Sequence, residues 1–310
     1  MNHKLVSIMA VWDEQNMIAL SIESTKDIVY EYVVLIKSGT DRTKEVVESC
    51  RDKWNLNIRI VETDIKLREA RKLAVELTKD YADYYLIQDG DEIYYSEEEL
   101  KSNNSKTITE LMQEDYLQCQ TTMIYLFYDL LSTKDSLTRI LPHPFLIKNT
   151  NNMIWPDKGD LPYIRYVEGD SYKVFNTNDY DPSKWDSDFE SIVLDEKSPF
   201  KFDCNIKNYG RMFKRYVFTE WHDGNHDCTI EDFCFNHHES CIWYKENINK
   251  NATLEEIIGY FEKHDVEKKW AIPYQESLYY KYPKIIKRYI DSGKIKGIDI
   301  YDKNNNIWNV

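Results

Sequence analysis

No stretch of this 310-residue chain comes near the roughly eighteen unbroken apolar residues of a membrane-spanning helix, the longest early run being Leu5 to Val11. That run is broken at once by Asp13 and Glu14, too soon for a secretion signal or a membrane anchor. Basic charge is also short: 40 Lys and Arg stand against 54 Asp and Glu, leaving −14 at neutral pH. A field of that sign repels nucleic acid, anionic membranes and polyanions unless a local basic patch overrides it, which disfavours a non-specific nucleic-acid binder. Without a secretion signal, Cys50, Cys119, Cys204, Cys228, Cys234 and Cys241 read as reduced thiols rather than a disulfide framework. The expected compartment is the cytoplasm. No internal repeat or low-complexity tract is present. What the chain does have is a hydrophobic fraction of 42%, enough to bury a full core without disulfides. Its 24 tyrosines and many Lys, Asn and Ile residues fit an AT-rich, virus-like coding sequence, which would make the compartment a host cytoplasm.

The first third alternates two periodicities. Leu5 to Val11, Val33 to Ile36, Ile58 to Val61 and Tyr84 to Ile87 are short and β-branched or aromatic, as buried strands require. Between them lie helical segments: Met17 to Ser24, Thr43 to Lys53 after the Ser38-Gly39-Thr40-Asp41 turn, and Lys66 to Tyr81. In the last of these Leu67, Ala70, Leu73, Ala74 and Leu77 recur at helical spacing and form a stripe fit to lie on a sheet. Such alternation implies βαβ units and a largely parallel sheet, whose ligands bind beyond the carboxyl ends of the strands. Farther on, Ile108 to Asp115 reads as a short helix, Gln118 to Leu131 as an aromatic-rich strand region and Leu141 to Asp188, with five of the eight prolines, as irregular surface chain. Leu254 to His264 and Pro283 to Ser292 read as helices. The predicted organisation is residues 1–131 as one half of a catalytic domain, 132–245 as its acceptor-binding half and 246–310 as a C-terminal helical extension.

Chemistry concentrates where the fourth strand ends, at Asp89-Gly90-Asp91-Glu92. Two carboxylates flanking a residue without a side chain can hold a hard divalent cation, Mn²⁺ or Mg²⁺, and let the backbone approach a ligand closely. Ordinary solvation of a loop after a strand is the competing reading of such a motif, and its context decides. A second concentration, His222 to Cys241, holds His222, His226, Cys228, Cys234, His237, His238 and Cys241, without the paired close spacing of a zinc site. Arg211, Lys214 and Arg215 share a helical face, either for phosphates or for solvent. Trp155, Trp185, Trp221 and Trp243 are either core or faces for an acceptor ring.

Four motifs in order resemble the family 2 glycosyltransferases of the GT-A fold. The opening strand and acidic pair are Val6-Ser7-Ile8-Met9-Ala10-Val11-Trp12-Asp13-Glu14; the turn Ser38-Gly39-Thr40-Asp41-Arg42-Thr43 is a shortened form of that family's Gly-Ser-Thr-Asp-x-Thr turn. Ala70-Arg71-Lys72 is similar to its Ala-Arg-Asn helix, and Asp89-Gly90-Asp91 to its metal motif. The resemblance covers residues 4 to 95. It implies a Rossmann-like three-layer α/β/α sandwich with a mostly parallel mixed sheet. The implied activity is transfer of a sugar from a nucleoside-diphosphate sugar to an acceptor hydroxyl, inverting through a carboxylate base. It implies Asp91 as direct metal ligand, Asp89 on the donor ribose or the metal's water shell, Asp13 or Glu14 at the base pocket, and Arg71 near the donor phosphates. Where many relatives end the second strand in a carboxylate for the nucleobase, this chain has Lys37 and Ser38. The Glu231-Asp232 pair is similar to the family's base position, with Asp232 as base; a helix start capped by Thr229 fits the same residues. A late histidine, His226 or His237, is the implied third metal ligand.

The acceptor follows as a glycan or a small molecule. A sharper variant is a hydroxymethylated base of phage DNA, which requires the base turned out of the duplex and a basic groove that −14 makes harder. A nucleotidyltransferase would also pair carboxylates with Mg²⁺, yet Trp12 to Met17 lacks the glycines of its phosphate loop. The non-enzymatic alternative is a carbohydrate-binding protein on the same fold.

Overall fold

The structure, a computed structural model, describes residues 3–37, 41–127, 129–134, 139–151, 153–154, 163–164, 166–168, 171–173, 191–193, 201–205, 228–237, 239–264, 271–276 and 281–294. Three βα units and a fourth strand open the chain: β1 (Leu5–Val11), α1 (Ile18–Thr25), β2 (Glu31–Ile36), α2 (Thr43–Trp54), β3 (Ile58–Glu62), α3 (Leu67–Thr78) and β4 (Tyr84–Ile87). Next come β5 (Glu92–Tyr94), α4 (Glu97–Ser102), α5 (Ile108–Gln113), β6 (Gln118–Phe127), β7 (Ser132–Lys134) and β8 (Arg139–Lys148). The short strands β9 (Met153–Ile154), β10 (Tyr163–Ile164), β11 (Tyr166–Glu168), β12 (Ser171–Lys173) and β13 (Ser191–Val193) precede β14 (Lys201–Asn205). Three helices, α6 (Ile230–His237), α7 (Glu239–Asn247) and α8 (Leu254–His264), then β15 (Ala271–Pro273) and α9 (Lys284–Asp291), complete the described elements.

One large sheet runs β3-β2-β1-β4-β8-β6-β14-β5, with β13 beside β6. It is mixed and mostly parallel: β8 runs against both β4 and β6, β5 against β14, and the remaining neighbours are parallel. The expected α/β class and layering follow from how the strands divide their side chains. On one face Leu5, Met9 and Val11 of β1, Tyr32, Val34 and Ile36 of β2, and Tyr84 and Leu86 of β4 join α1 and α2 in one core. On the other, Val6, Ile8, Val33, Leu35, Tyr85 and Ile87 pack on Ala70, Ala74 and Val75 of α3. A strand buried on both faces must be apolar throughout, which is why these segments read as unbroken runs. The stripe expected on α3 is shorter than its periodicity suggested, since Leu77 is exposed and Arg71 is buried instead.

One expectation needs correction, and two helix starts carry signals of their own. Residues 141–148 are not irregular surface chain: they lie in β8, between β4 and β6, with Phe145, Leu146 and Ile147 fully buried. Pro142 and Pro144 suggested a loop, but the ladder with β6 is irregular there, with register shifts at Cys119/Gln120 and Thr121/Met123, and bulges are where a strand tolerates proline. Helix α4 went unanticipated despite a local signal, the capping box in which Ser96 and Glu99 bond each other's backbone N–H. Helix α2 is preceded by Arg42 with no side-chain cap; Asp41, one residue earlier, accepts from the Thr43 N–H and hydroxyl at 2.9 and 2.6 Å.

The C-terminal part is held in two ways. Helix α9 places Ile286 and Tyr289 in the same core as β1 and α1, and Arg288 pairs with Glu23 of α1 at 2.7 Å. Helices α6 to α8 form a separate small core around Phe233, Cys234, Cys241, Tyr244, Ile257 and Phe261. The six cysteines are unbridged. Among the described residues no helix is long and apolar enough to cross a membrane.

Candidate functional site

The tips of β1, β2, β3 and β4 surround a cavity of about 100 Å³ lined by Ala10, Val11, Trp12, Leu35, Lys37, Thr63, Ile65, Leu67, Ala70 and Asp89. These residues come from four strand ends and the start of α3, which is where a parallel sheet offers a crevice. Along one wall Lys37 Nζ lies 4.7 Å from the Trp12 ring centroid, a cation held against an aromatic face. The other wall ends in Asp89.

The acidic turn is fixed from below by Gln88, a fully buried polar residue of no evident function in the sequence. Its Oε1 accepts from the Ser7 and Thr25 hydroxyls at 3.0 and 3.2 Å, and its Nε2 donates to the Ser21 carbonyl and hydroxyl, each at 2.9 Å. A buried amide so fully bonded costs little to bury and much to displace. The Ser21 hydroxyl also donates to the Asp89 carbonyl at 2.9 Å, so α1 and β4 hold the turn jointly.

Asp89 is reached from the side by Arg71. The guanidinium, 1% exposed, donates through Nη2 to Asp89 Oδ1 at 2.5 Å. A charge-assisted bond from a buried cation at that distance fixes the Asp89 side chain. Arg71 thus pairs with a carboxylate that itself lines the cavity.

Gly90 does not adopt a left-handed backbone. Its need is steric: a Cβ there would sit 2.8 Å from Glu14 Cγ and 3.0 Å from Val11 Cγ1. The β1 loop and the acidic turn are therefore pressed together, and Glu14 and Asp91 are both buried. Asp13 takes φ +54°, a conformation that Asp tolerates better than most residues, and its Oδ1 accepts the Asp41 N–H at 3.3 Å. Further bonds run from Glu14 N to Thr43 Oγ1 at 2.8 Å, Gln15 N to Asp41 Oδ2 at 2.9 Å and Arg42 N to Gln15 Oε1 at 2.9 Å. They lace the β1 loop to the start of α2.

Glu92 completes the turn from the far side. It is buried, accepts from the fully buried Lys201 at 2.6 Å, and its other oxygen accepts the Asp89 N–H at 3.1 Å. Burial pushes its carboxyl above the usual range, opposed by the neighbouring Lys201 charge.

Asp13, Glu14, Lys37, Arg71, Asp89 and Asp91 thus gather at one end of the sheet. Ser38 and His226 lie outside the described residues, as do His222, His238, Arg211, Lys214, Arg215, Trp155, Trp185 and Trp221; His237 ends α6, and its side chain is not among those described. Asp232 and Glu231 are exposed in the first turn of α6, where Thr229 Oγ1 accepts the Asp232 N–H at 3.2 Å, the capped helix start weighed above. Trp243 is exposed on α7. Among the described residues no three His, Cys, Asp or Glu side chains converge as a ready-made metal cage. A hard cation bound with a diphosphate needs only one or two protein carboxylates, and Asp89 and Asp91 are the pair at the strand end able to offer that donor set. Lys201 could not have been found from sequence, being joined to Glu92 across 109 positions; Trp12 could, as the aromatic at the tip of β1.

No protein-family model and no curated protein sequence matches the chain. Among solved structures, it is similar to Staphylococcus aureus TarS, at 13% identity over 83% of this chain and 48% of that one, TM-score 0.37. It is similar to the Mycobacterium tuberculosis glucosyl-3-phosphoglycerate synthase solved with Mn²⁺, uridine diphosphate and phosphoglyceric acid, at 18% identity over 40% of this chain and 43% of that one, TM-score 0.28. A third is 4-diphosphocytidyl-2C-methyl-D-erythritol synthase from Anaerococcus prevotii, at 12% identity over 48% and 73%, TM-score 0.34. The chain spans less than half the length of the first two, and likenesses of this size carry no weight for its activity.

Proposed function

We propose that the chain is a metal-dependent glycosyltransferase that moves a sugar from a nucleoside-diphosphate sugar to an acceptor hydroxyl. The observation that supports it most is the cavity over four parallel strand tips with Asp89 in its wall and the Asp89-Gly90-Asp91 turn locked beside it. In this reading Trp12 and Lys37 take the nucleobase end, and Asp89 and Asp91 hold Mn²⁺ or Mg²⁺ with the diphosphate. The cation, when bound, neutralises the charge that develops on the departing diphosphate. Arg71 fixes Asp89, and Gln88, Ser21 and Glu92 fix the backbone that carries both carboxylates, so that the site is organised before the donor arrives. Asp232 is assigned as the base that takes the acceptor proton, with Glu231 beside it, and His226 or His237 as a further ligand. The acceptor is a glycan or small molecule, with a modified DNA base as the special case.

The deciding experiment is a thermal-shift series of UDP, GDP, CDP and ADP, each with and without Mn²⁺. At least one should raise the melting temperature of the wild type only when metal is present, and Asp91→Ala should abolish that rise. Stabilisation that needs no metal and survives in the variant would remove the proposal.

A further inference from the structure

Glu92 and Lys201 are the first residues of two antiparallel neighbours, β5 and β14, and both are almost completely buried. Lys201 Nζ donates to Glu92 Oε1 at 2.6 Å. The remaining oxygen, Oε2, faces the acidic turn and accepts the Asp89 N–H at 3.1 Å. The turn is tied to the same strand a second time, the Asp91 carbonyl accepting the Cys204 N–H at 2.8 Å. Glu92 N donates back to the Asp89 carbonyl at 3.2 Å, which closes the turn on itself.

An ion pair in such a place is a poor source of stability. Both charges lose their water, and apolar residues of similar volume often do as well or better. What an apolar pair cannot supply is an acceptor aimed at the Asp89 amide. We infer that Glu92 is a positioning residue: its carboxyl oxygen, seated beside Lys201, pins the backbone of Asp89 and thereby sets the spacing of the Asp89 and Asp91 carboxylates for a cation bound to a nucleoside diphosphate. Arg71 fixes the Asp89 side chain from α3; Glu92 fixes its main chain from the opposite half of the sheet. The ligand part of the inference rests on the proposed function, whereas the pinning of the turn does not.

Two paired variants separate positioning from packing. E92L/K201M removes both charges and the acceptor, and E92Q/K201M removes the charges but keeps a carbonyl oxygen for the Asp89 N–H. Three quantities are read on each full-length protein: the urea midpoint, hydrogen exchange of the backbone across residues 88–92, and the Mn²⁺-dependent affinity for the diphosphate that stabilises the wild type. E92L/K201M should keep the wild-type midpoint, exchange about tenfold faster in that segment and bind about tenfold more weakly, the worth of one hydrogen bond. E92Q/K201M should recover most of both losses. Wild-type exchange and affinity in E92L/K201M would overturn the inference. Should that variant not fold, E92M/K201M takes its place, since methionine adapts to irregular gaps; failure of both, with E92Q/K201M folded, makes the pair a stability element and also overturns it. If the wild type binds no diphosphate with Mn²⁺ while the exchange contrast holds, the proposed function falls and the pinned turn stands.

Discussion

In one half of the sheet, β3, β2, β1 and β4, every neighbour is parallel; in the other, β8, β6, β14 and β5, directions mix and partners come from distant parts of the chain. The first half carries the cavity and all the carboxylates assigned to the donor and the cation. The second half lines none of that cavity, yet Lys201 and the Cys204 amide reach back to hold the acidic turn. In the proposed reading ligand chemistry sits on strand tips joined by short crossovers, while the turn is held by pairings between distant segments, the kind whose loop-closure cost slows folding. If that division holds, damage to the second half should unfold the first as well.

The largest effect should come from Phe202→Ala. Phe202 of β14 is fully buried, with ring centroids of Tyr95, Tyr282 and Tyr274 at 5.8, 5.9 and 6.1 Å. Truncating a core phenylalanine costs about 3–5 kcal/mol, to be measured as a shift of the urea midpoint. Tryptophan fluorescence and circular dichroism should still report a single coincident transition. Two separated transitions would break the comparison, because the halves would then be independent folding units.

That contrast also explains what could be read from the residues alone. The runs Leu5 to Val11 and Tyr84 to Ile87 are apolar on both faces, and α3 has a helical stripe, so local periodicity identified the parallel half and located Asp89 and Asp91 at a strand end. Strand β8 was misread because Pro142 and Pro144 are locally loop-like, and only its partners β4 and β6, neither of them next to it in the chain, make it a strand. The burial of Arg71 against Asp89 and of Lys201 against Glu92 was illegible for a similar reason: charged residues default to solvent unless a distant partner is known. Gln88 gave no signal either, since its partners Ser7, Ser21 and Thr25 are themselves unremarkable in sequence.

A smaller loss is expected from Gly90→Ala, which sharpens the same comparison inside the first half. The added Cβ would press on Glu14 and Val11 at 2.8 to 3.0 Å, and overpacking of this kind costs about 1–3 kcal/mol. Because the strain falls on the acidic turn, metal-dependent nucleotide binding should weaken well beyond the loss of stability. Unchanged binding in a destabilised protein would mean that the approach of Glu14 to Gly90 serves packing alone.

The smallest effects belong to the two capping boxes between the halves, and they test whether α4 bridges those halves. Ser96 with Glu99 and Thr107 with Glu110 form equivalent boxes at α4 and α5, and an N-cap substituted by alanine loses ~1 kcal/mol. The glutamates are not equivalent. Glu99 is nearly buried, and its Oε1 also accepts the Lys284 N–H at 2.6 Å, fastening the first turn of α9 to α4. Among the described residues no such second bond appears for Glu110, whose Oε2 serves the Thr107 N–H at 2.8 Å. Ser96→Ala and Thr107→Ala should therefore cost about the same, ~1 kcal/mol each, while Glu99→Ala should exceed Glu110→Ala by about one further hydrogen bond, ~1 kcal/mol, the part-buried Lys284 amide losing its acceptor. Hydrogen exchange separates the causes: only Glu99→Ala should speed exchange at the start of α9. Equal losses from the two glutamates would reduce α4 to a local helix, and leave Arg288 with Glu23 as the polar tie between α9 and the sheet's first half.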